Sequence, residues 1–70
     1  MKPYTTQPRA SLIRLEQVKA RTCLSRSTIY AYMREGRFPQ PVTISDRCVA
    51  WIEDEVDAWI AGRIANRRIA

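Results

Sequence analysis

One helix with both ends marked, between Ser25 and Gly36, constrains this chain more than any other feature of its sequence. Leu24-Ser25 supplies an apolar residue followed by a hydroxyl that can accept a hydrogen bond from a free N–H of a helix's first turn. Ile29 then falls where it can staple against Leu24 and set the angle at which the chain joins the helix. At the other end Gly36 suits a left-handed position just beyond the last turn, and Pro39 and Pro41 prevent continuation. These signals predict a helix over roughly residues 26–35. An element this short must pack against neighbours to persist.

The neighbours are legible on both sides. Upstream, Leu12 and Ile13 read as a short extended segment, and Leu15 and Val18 with interleaved polar residues predict a helix over roughly residues 15–22. Downstream, "VTI" and "CVAW" flank the polar turn "SDR" and predict a small hairpin. In "IEDEVDAWIAGRIANRR" the residues Ile52, Val56, Trp59 and Ile60 recur at helical spacing. Glu53, Asp54, Glu55 and Asp57 open this third helix, and Arg63, Arg67 and Arg68 close it, both in agreement with the helix dipole. Gly62 weakens its last turns. Arg63 falls inside the apolar stripe, so it either snorkels past Trp59 or belongs to a surface shared with another copy.

The order helix, tight turn, helix, hairpin, helix predicts a mainly α fold with a small β-hairpin, a winged helix-turn-helix, over residues 11–70. Residues 1–10 carry two prolines and no apolar periodicity, and are expected to form a flexible N-terminal arm. Seventy residues leave room for one domain. No apolar run approaches the roughly 20 residues that span a bilayer, and "MKPYTTQPRA" lacks the pattern of a secretory signal, so the expected location is the cytosol. Cys23 and Cys48, with no histidine in the chain, make neither a zinc site nor a disulfide framework. Both thiols are expected to be buried or half-buried and to act as small apolar groups.

Charge is distributed unevenly. Residues 1–37 hold eight Lys/Arg and two Glu, whereas residues 38–70 hold four Arg and five Asp/Glu. The net +5 therefore resides on the half with the marked helix, and a basic face there favours phosphate backbones. At about 100° per residue, Ile29, Tyr32 and Met33 share the inner side of that helix. Ser27, Tyr30, Ala31 and Arg34 lie opposite, with Arg26 at the edge.

That outward face has no acid, and a small residue stands at its centre. Arginine can fork onto guanine, serine and threonine can bond bases or phosphates, and an alanine methyl can lie against that of thymine. Ser25, Ser27 and Thr28 stand at the helix N-terminus, where free N–H groups favour a phosphate, and Arg26 can reach toward bases. Ser25 as cap and Thr28 as a first-turn residue also have purely structural readings. Arg34 and Arg37 have a solvated one. Arg47 at the hairpin tip is placed to touch a DNA backbone or minor groove. With no histidine, phosphate loop or nucleophile motif, neither catalysis nor a cofactor is expected.

The chain from residue 12 to residue 68 resembles the AlpA family of prophage-type regulators, related to the MerR-like winged-helix and excisionase group. "LSRSTIY", "EGRFPQPV" and "VAWIEDEVDAWI", in that order and spacing, carry the resemblance. It implies major-groove contact through Ser25, Arg26, Ser27, Thr28, Tyr30 and Arg34, a wing contact at Arg47, and a core containing Phe38, Trp51, Val56 and Trp59. Where relatives carry glycine before Leu-Ser this chain has Cys23, which is strained if the backbone there is left-handed.

The resemblance implies a sequence-specific binder of double-stranded DNA that controls transcription or excision of an integrated element. Several copies are expected on adjacent sites, with integrase or RNA polymerase as the protein partner. A recombination directionality factor acting architecturally is the alternative within DNA binding. Outside it stands a basic module that meets an acidic protein.

Overall fold

A computed structural model describes residues 10–67. The expected arm, Ala10 apart, lies outside the described residues, as does Arg68. The elements run β1 (Leu12–Ile13), α1 (Leu15–Thr22), α2 (Arg26–Arg34), β2 (Val42–Ser45), β3 (Cys48–Ile52) and α3 (Glu53–Ala65). This is the winged helix-turn-helix predicted from the sequence, with one addition. The segment read only as extended pairs with β3, Leu12 opposite Ile52 and Ile13 opposite Trp51, so the wing belongs to an antiparallel three-stranded sheet of order β1-β3-β2.

The core draws one side chain from nearly every element: Ile13 from β1, Val18 from α1, Ile29 from α2, Phe38 from the following loop, Trp51 from β3 and Val56 from α3. Full burial of an aliphatic side chain stabilises by about 1.5–3 kcal/mol, and Val18, Ile29 and Val56 are fully buried. β2 gives nothing to this cluster. Its Thr43, Ile44 and Ser45 are exposed, which leaves the hairpin's outer strand free to meet a partner. Pairing runs Val42 to Ala50 and Thr43 to Val49, then Ser45 to Cys48, so Ile44 is the extra residue of a bulge.

The turn between α1 and α2 is set by local hydrogen bonds. Cys23 ends α1 in the left-handed region at φ 63°, and its N–H donates to the Lys19 carbonyl. Thr22 Oγ1 donates to the Val18 carbonyl at 2.8 Å and accepts from the Leu24 N–H at 3.3 Å. Cysteine thus occupies the conformation that favours glycine, the strain anticipated from the family pattern. In that position the thiol is exposed, contrary to the expectation for Cys23, because a left-handed residue between two helices turns its side chain away from both. Cys48 is half-buried, and both thiols are free.

α2 leaves as the sequence indicated. Gly36, at φ 72°, donates its N–H to the Met33 carbonyl, and the Arg37 N–H donates to that of Tyr32, the double closure of a Schellman turn. Three side chains then pin the loop that follows. Trp59 Nε1 donates to the Arg37 carbonyl at 2.8 Å, Trp51 Nε1 to that of Pro39 at 3.1 Å, and Gln40 Nε2 to that of Met33 at 3.0 Å. The Trp59 ring meets Phe38 edge to face at 5.0 Å. Trp59 itself is half-buried, as are Tyr32 and Met33 on the inner side of α2.

Candidate nucleic-acid interface

The first turn of α2 gathers the polar residues singled out from the sequence. Ser25 Oγ caps the helix by accepting from the Thr28 N–H at 3.2 Å and donates its own proton to Thr28 Oγ1 at 3.0 Å. Ser25 is therefore engaged in its structural role. The Thr28 hydroxyl keeps its proton for an outside acceptor. The N–H groups of Arg26 and Ser27 have no acceptor among the described residues, and they point out of the helix end with its positive dipole.

Beyond that turn, the Arg26 guanidinium lies over the Tyr30 ring, 5.0 Å from its centroid. This contact lays the charge along the outer face of α2. Ser27 and Arg34 are exposed and Ala31 and Tyr30 half-buried, so the face is shallow at its centre and cationic at both ends. Arg47 occupies the two-residue hairpin turn with Asp46, exposed and on a different element from α2. Among the described residues neither Arg26, Arg34 nor Arg47 has a carboxylate within salt-bridge distance.

Three other cations have carboxylate partners, whereas Arg14, Arg63 and Arg67 have none among the described residues. Arg21 of α1 bonds Glu53 and Asp57 of α3, and Lys19 lies 3.6 Å from Glu16. Arg37 bonds Glu35 at 2.9 Å and stacks on Tyr32 at 4.4 Å. The Glu35 hydrogen bond raises the Arg37 guanidinium above its ordinary pKa. Arg37 thus comes to the end of α2 already matched by an acid, unlike the other arginines of the expected surface. Sequence reasoning missed the Arg21 bridge. The four-residue spacing of Glu53 and Asp57, which puts both on one helix face, was the signal for an incoming cation.

Three helices and a three-stranded sheet whose β2–β3 hairpin forms the wing define a winged helix-turn-helix, with free N–H groups and unpaired arginines, among the described residues, on the exposed side of α2. The family comparison agrees. The model of the prophage CP4-57 regulatory protein (AlpA) family matches residues 11–64, and the chain belongs to that family. It is 47% identical over 66 residues to the protein ORF88 of Enterobacteria phage P4, covering 94% of this chain and 73% of that one. It is also 31% identical over 58 residues to the DNA-binding transcriptional activator AlpA of Escherichia coli K12, covering 74% of this chain and 83% of that one. No helix among the described residues is long and apolar enough to cross a membrane.

Proposed function

We propose that this protein is a non-enzymatic regulator that binds duplex DNA sequence-specifically and controls transcription or excision of an integrated element. α2 enters the major groove, with Arg26, Ser27, Tyr30, Ala31 and Arg34 toward base edges and Thr28 at a phosphate, while Ser25, expected from the sequence to share that phosphate, serves as the cap. Arg47 meets the backbone beside the site, and Arg37 adds a weaker phosphate contact because Glu35 shares its charge. The observation that carries this reading is the division among the arginines. Arg26, Arg34 and Arg47 lack carboxylate partners among the described residues, as do Arg14, Arg63 and Arg67 elsewhere, while Arg21 and Arg37 have them; α2 combines two of the unpaired arginines with a helix N-terminus whose first N–H groups are free among those residues.

One such domain covers a small area, so full occupancy calls for several copies on neighbouring sites. The test begins with a duplex recovered from a random pool by repeated binding and elution, then follows its affinity by fluorescence anisotropy across a salt series. Affinity should fall steeply with salt, and Arg26→Ala and Arg34→Ala should each cost about 1–3 kcal/mol and relax the sequence preference at the base faced. Undiminished DNA affinity in the double variant would assign the basic face to an acidic protein partner instead. A bend measured on the same duplex separates the architectural role from transcription activation.

A further inference from the structure

The 13-residue α3 is about 20 Å long and carries different chemistry at its two ends. Its first half is covered: Arg21 reaches Glu53 and Asp57, and Val56 is buried. In its second half Trp59 and Ile60 pack against the core and residues 61–65 are exposed. There an open groove of about 240 Å³ runs between Arg21, Thr22 and Leu24 on one side and Trp59, Ile60, Arg63 and Ile64 on the other. Ile64 is 56% exposed, and the Arg63 guanidinium lies over the Trp59 ring at 5.3 Å with no carboxylate partner among the described residues.

The opposite end of α3 has the converse character. Asp54 and Glu55 in its first turn are exposed and have no cation within salt-bridge distance among the described residues. Leu12, 47% exposed on the edge strand β1, pairs opposite Ile52, the residue that leads into this turn. The Ser11 carbonyl accepts the Glu53 N–H at 2.8 Å, which ties the start of β1 to that first turn. Of the three large apolar side chains exposed among the described residues, Leu12, Ile44 and Ile64, two therefore mark the two ends of α3, one near free acids and one beside a free cation.

We propose that these two ends join in a head-to-tail contact between copies: Leu12 of one copy enters the groove of the next, and Asp54 and Glu55 meet Arg63 there. The contact rests on the reading that several copies occupy neighbouring DNA sites, and it supplies the protein surface that reading lacks. Because the two patches differ, each added copy leaves one of each unfilled, so the assembly extends instead of closing as a symmetric pair. The contact is small and weak by itself, and DNA that aligns the copies raises their effective concentration.

Sedimentation velocity without DNA, carried into the millimolar range, tests the contact separately from DNA binding. Average mass should rise past two copies in the unaltered protein. Arg63→Glu should stay at one copy, and so should Asp54→Lys with Glu55→Lys. An equimolar mixture of these two variants should associate again, since each reversed patch finds its complement, and this recovery also shows that both are folded. A mass that stops at two copies overturns the head-to-tail arrangement, and a mass that stays at one, or is unchanged by the reversals, overturns the contact itself. On a duplex with one binding site, at salt that screens their altered net charge, both variants should keep their affinity to within about twofold, because none of the three residues belongs to α2 or the wing. A loss there with association intact would strike at the DNA-binding reading and leave the contact standing.

Discussion

Arg21 of α1 sets one guanidinium between two carboxylates of α3, with Nη1 2.8 Å from Asp57 Oδ1 and Nη2 2.5 Å from Glu53 Oε2. The planar fork of arginine suits this bridge, because Glu53 and Asp57 lie one helical turn apart on the same face. The bridge fixes α3 against the end of α1, immediately before the turn that aims α2.

Removing the bridge should be measurable but modest. All three side chains are partly exposed, so Arg21→Ala should cost about 1 kcal/mol. For a domain of this size that lowers the melting temperature by about 4–8 °C. Thermal melts at low and high salt check it, and the gap between variant and parent should narrow as salt screens the pairs. A gap that does not depend on salt would mean that packing of the arginine stem, not its charge, is what matters.

Trp59 serves two contacts that can be separated. Trp59→Phe keeps an aromatic edge against Phe38 but leaves the Arg37 carbonyl without its donor, at an expected cost of about 1 kcal/mol. Trp59→Ala also removes the ring and should cost about 3 kcal/mol, a large part of what a small domain has. Urea denaturation of both variants orders them. Equal losses would show that the indole N–H contributes everything and the ring nothing.

Cys23 adopts φ 63° where its side chain brings no buried contact in return. A left-handed backbone costs a residue with a Cβ about 1–2 kcal/mol, a penalty glycine escapes. Part of that gain is lost to the greater freedom of glycine in the unfolded chain, so Cys23→Gly should stabilise by about 1 kcal/mol. Cys23→Val should destabilise by at least as much, since β-branching makes the same backbone worse. Melting curves of the three proteins decide it, and a Gly variant less stable than the parent would mean the turn is not strained in solution.

Local signals on the sequence proved sufficient for the elements and for the outer face of α2. Ser25, Ile29 and Gly36 each act within a few residues of their own position, so their roles can be read from spacing. The remainder depended on groups far apart in the chain. Pairing of β1 with β3 joins Ile13 to Trp51, and two residues are too few to show a strand's alternation. The indole bonds from Trp51 and Trp59 end on backbone carbonyls, which every residue has and no sequence pattern marks. Exposure of the Cys23 thiol followed from backbone handedness, and composition alone favoured burial. The state of Arg37 turned on Glu35, two residues away but past the end of the helix, where helical spacing no longer tells which side chains meet.

Folding and DNA binding make opposite demands on Ser27, and that opposition yields the sharpest test of the interface. The residue is exposed at the second position of α2, its hydroxyl bonded to nothing among the described residues. A carboxylate near a helix N-terminus is favoured by the dipole, so Ser27→Glu should leave stability unchanged or raise it by about 0.3–1 kcal/mol. On the proposed function, the same carboxylate would stand where free N–H groups meet a phosphate and Arg26 reaches toward bases. It should therefore repel DNA and lower affinity by more than about tenfold, equivalent to roughly 1.4 kcal/mol. Ser27→Ala, which removes only the hydroxyl, should fall between parent and Glu variant in affinity while leaving the melt almost unmoved. Thermal melts and anisotropy on the selected duplex, both at low salt, provide the two axes. If Ser27→Glu keeps both its stability and its DNA affinity, the N-terminus of α2 does not face DNA, and the recognition surface must be sought elsewhere on the domain.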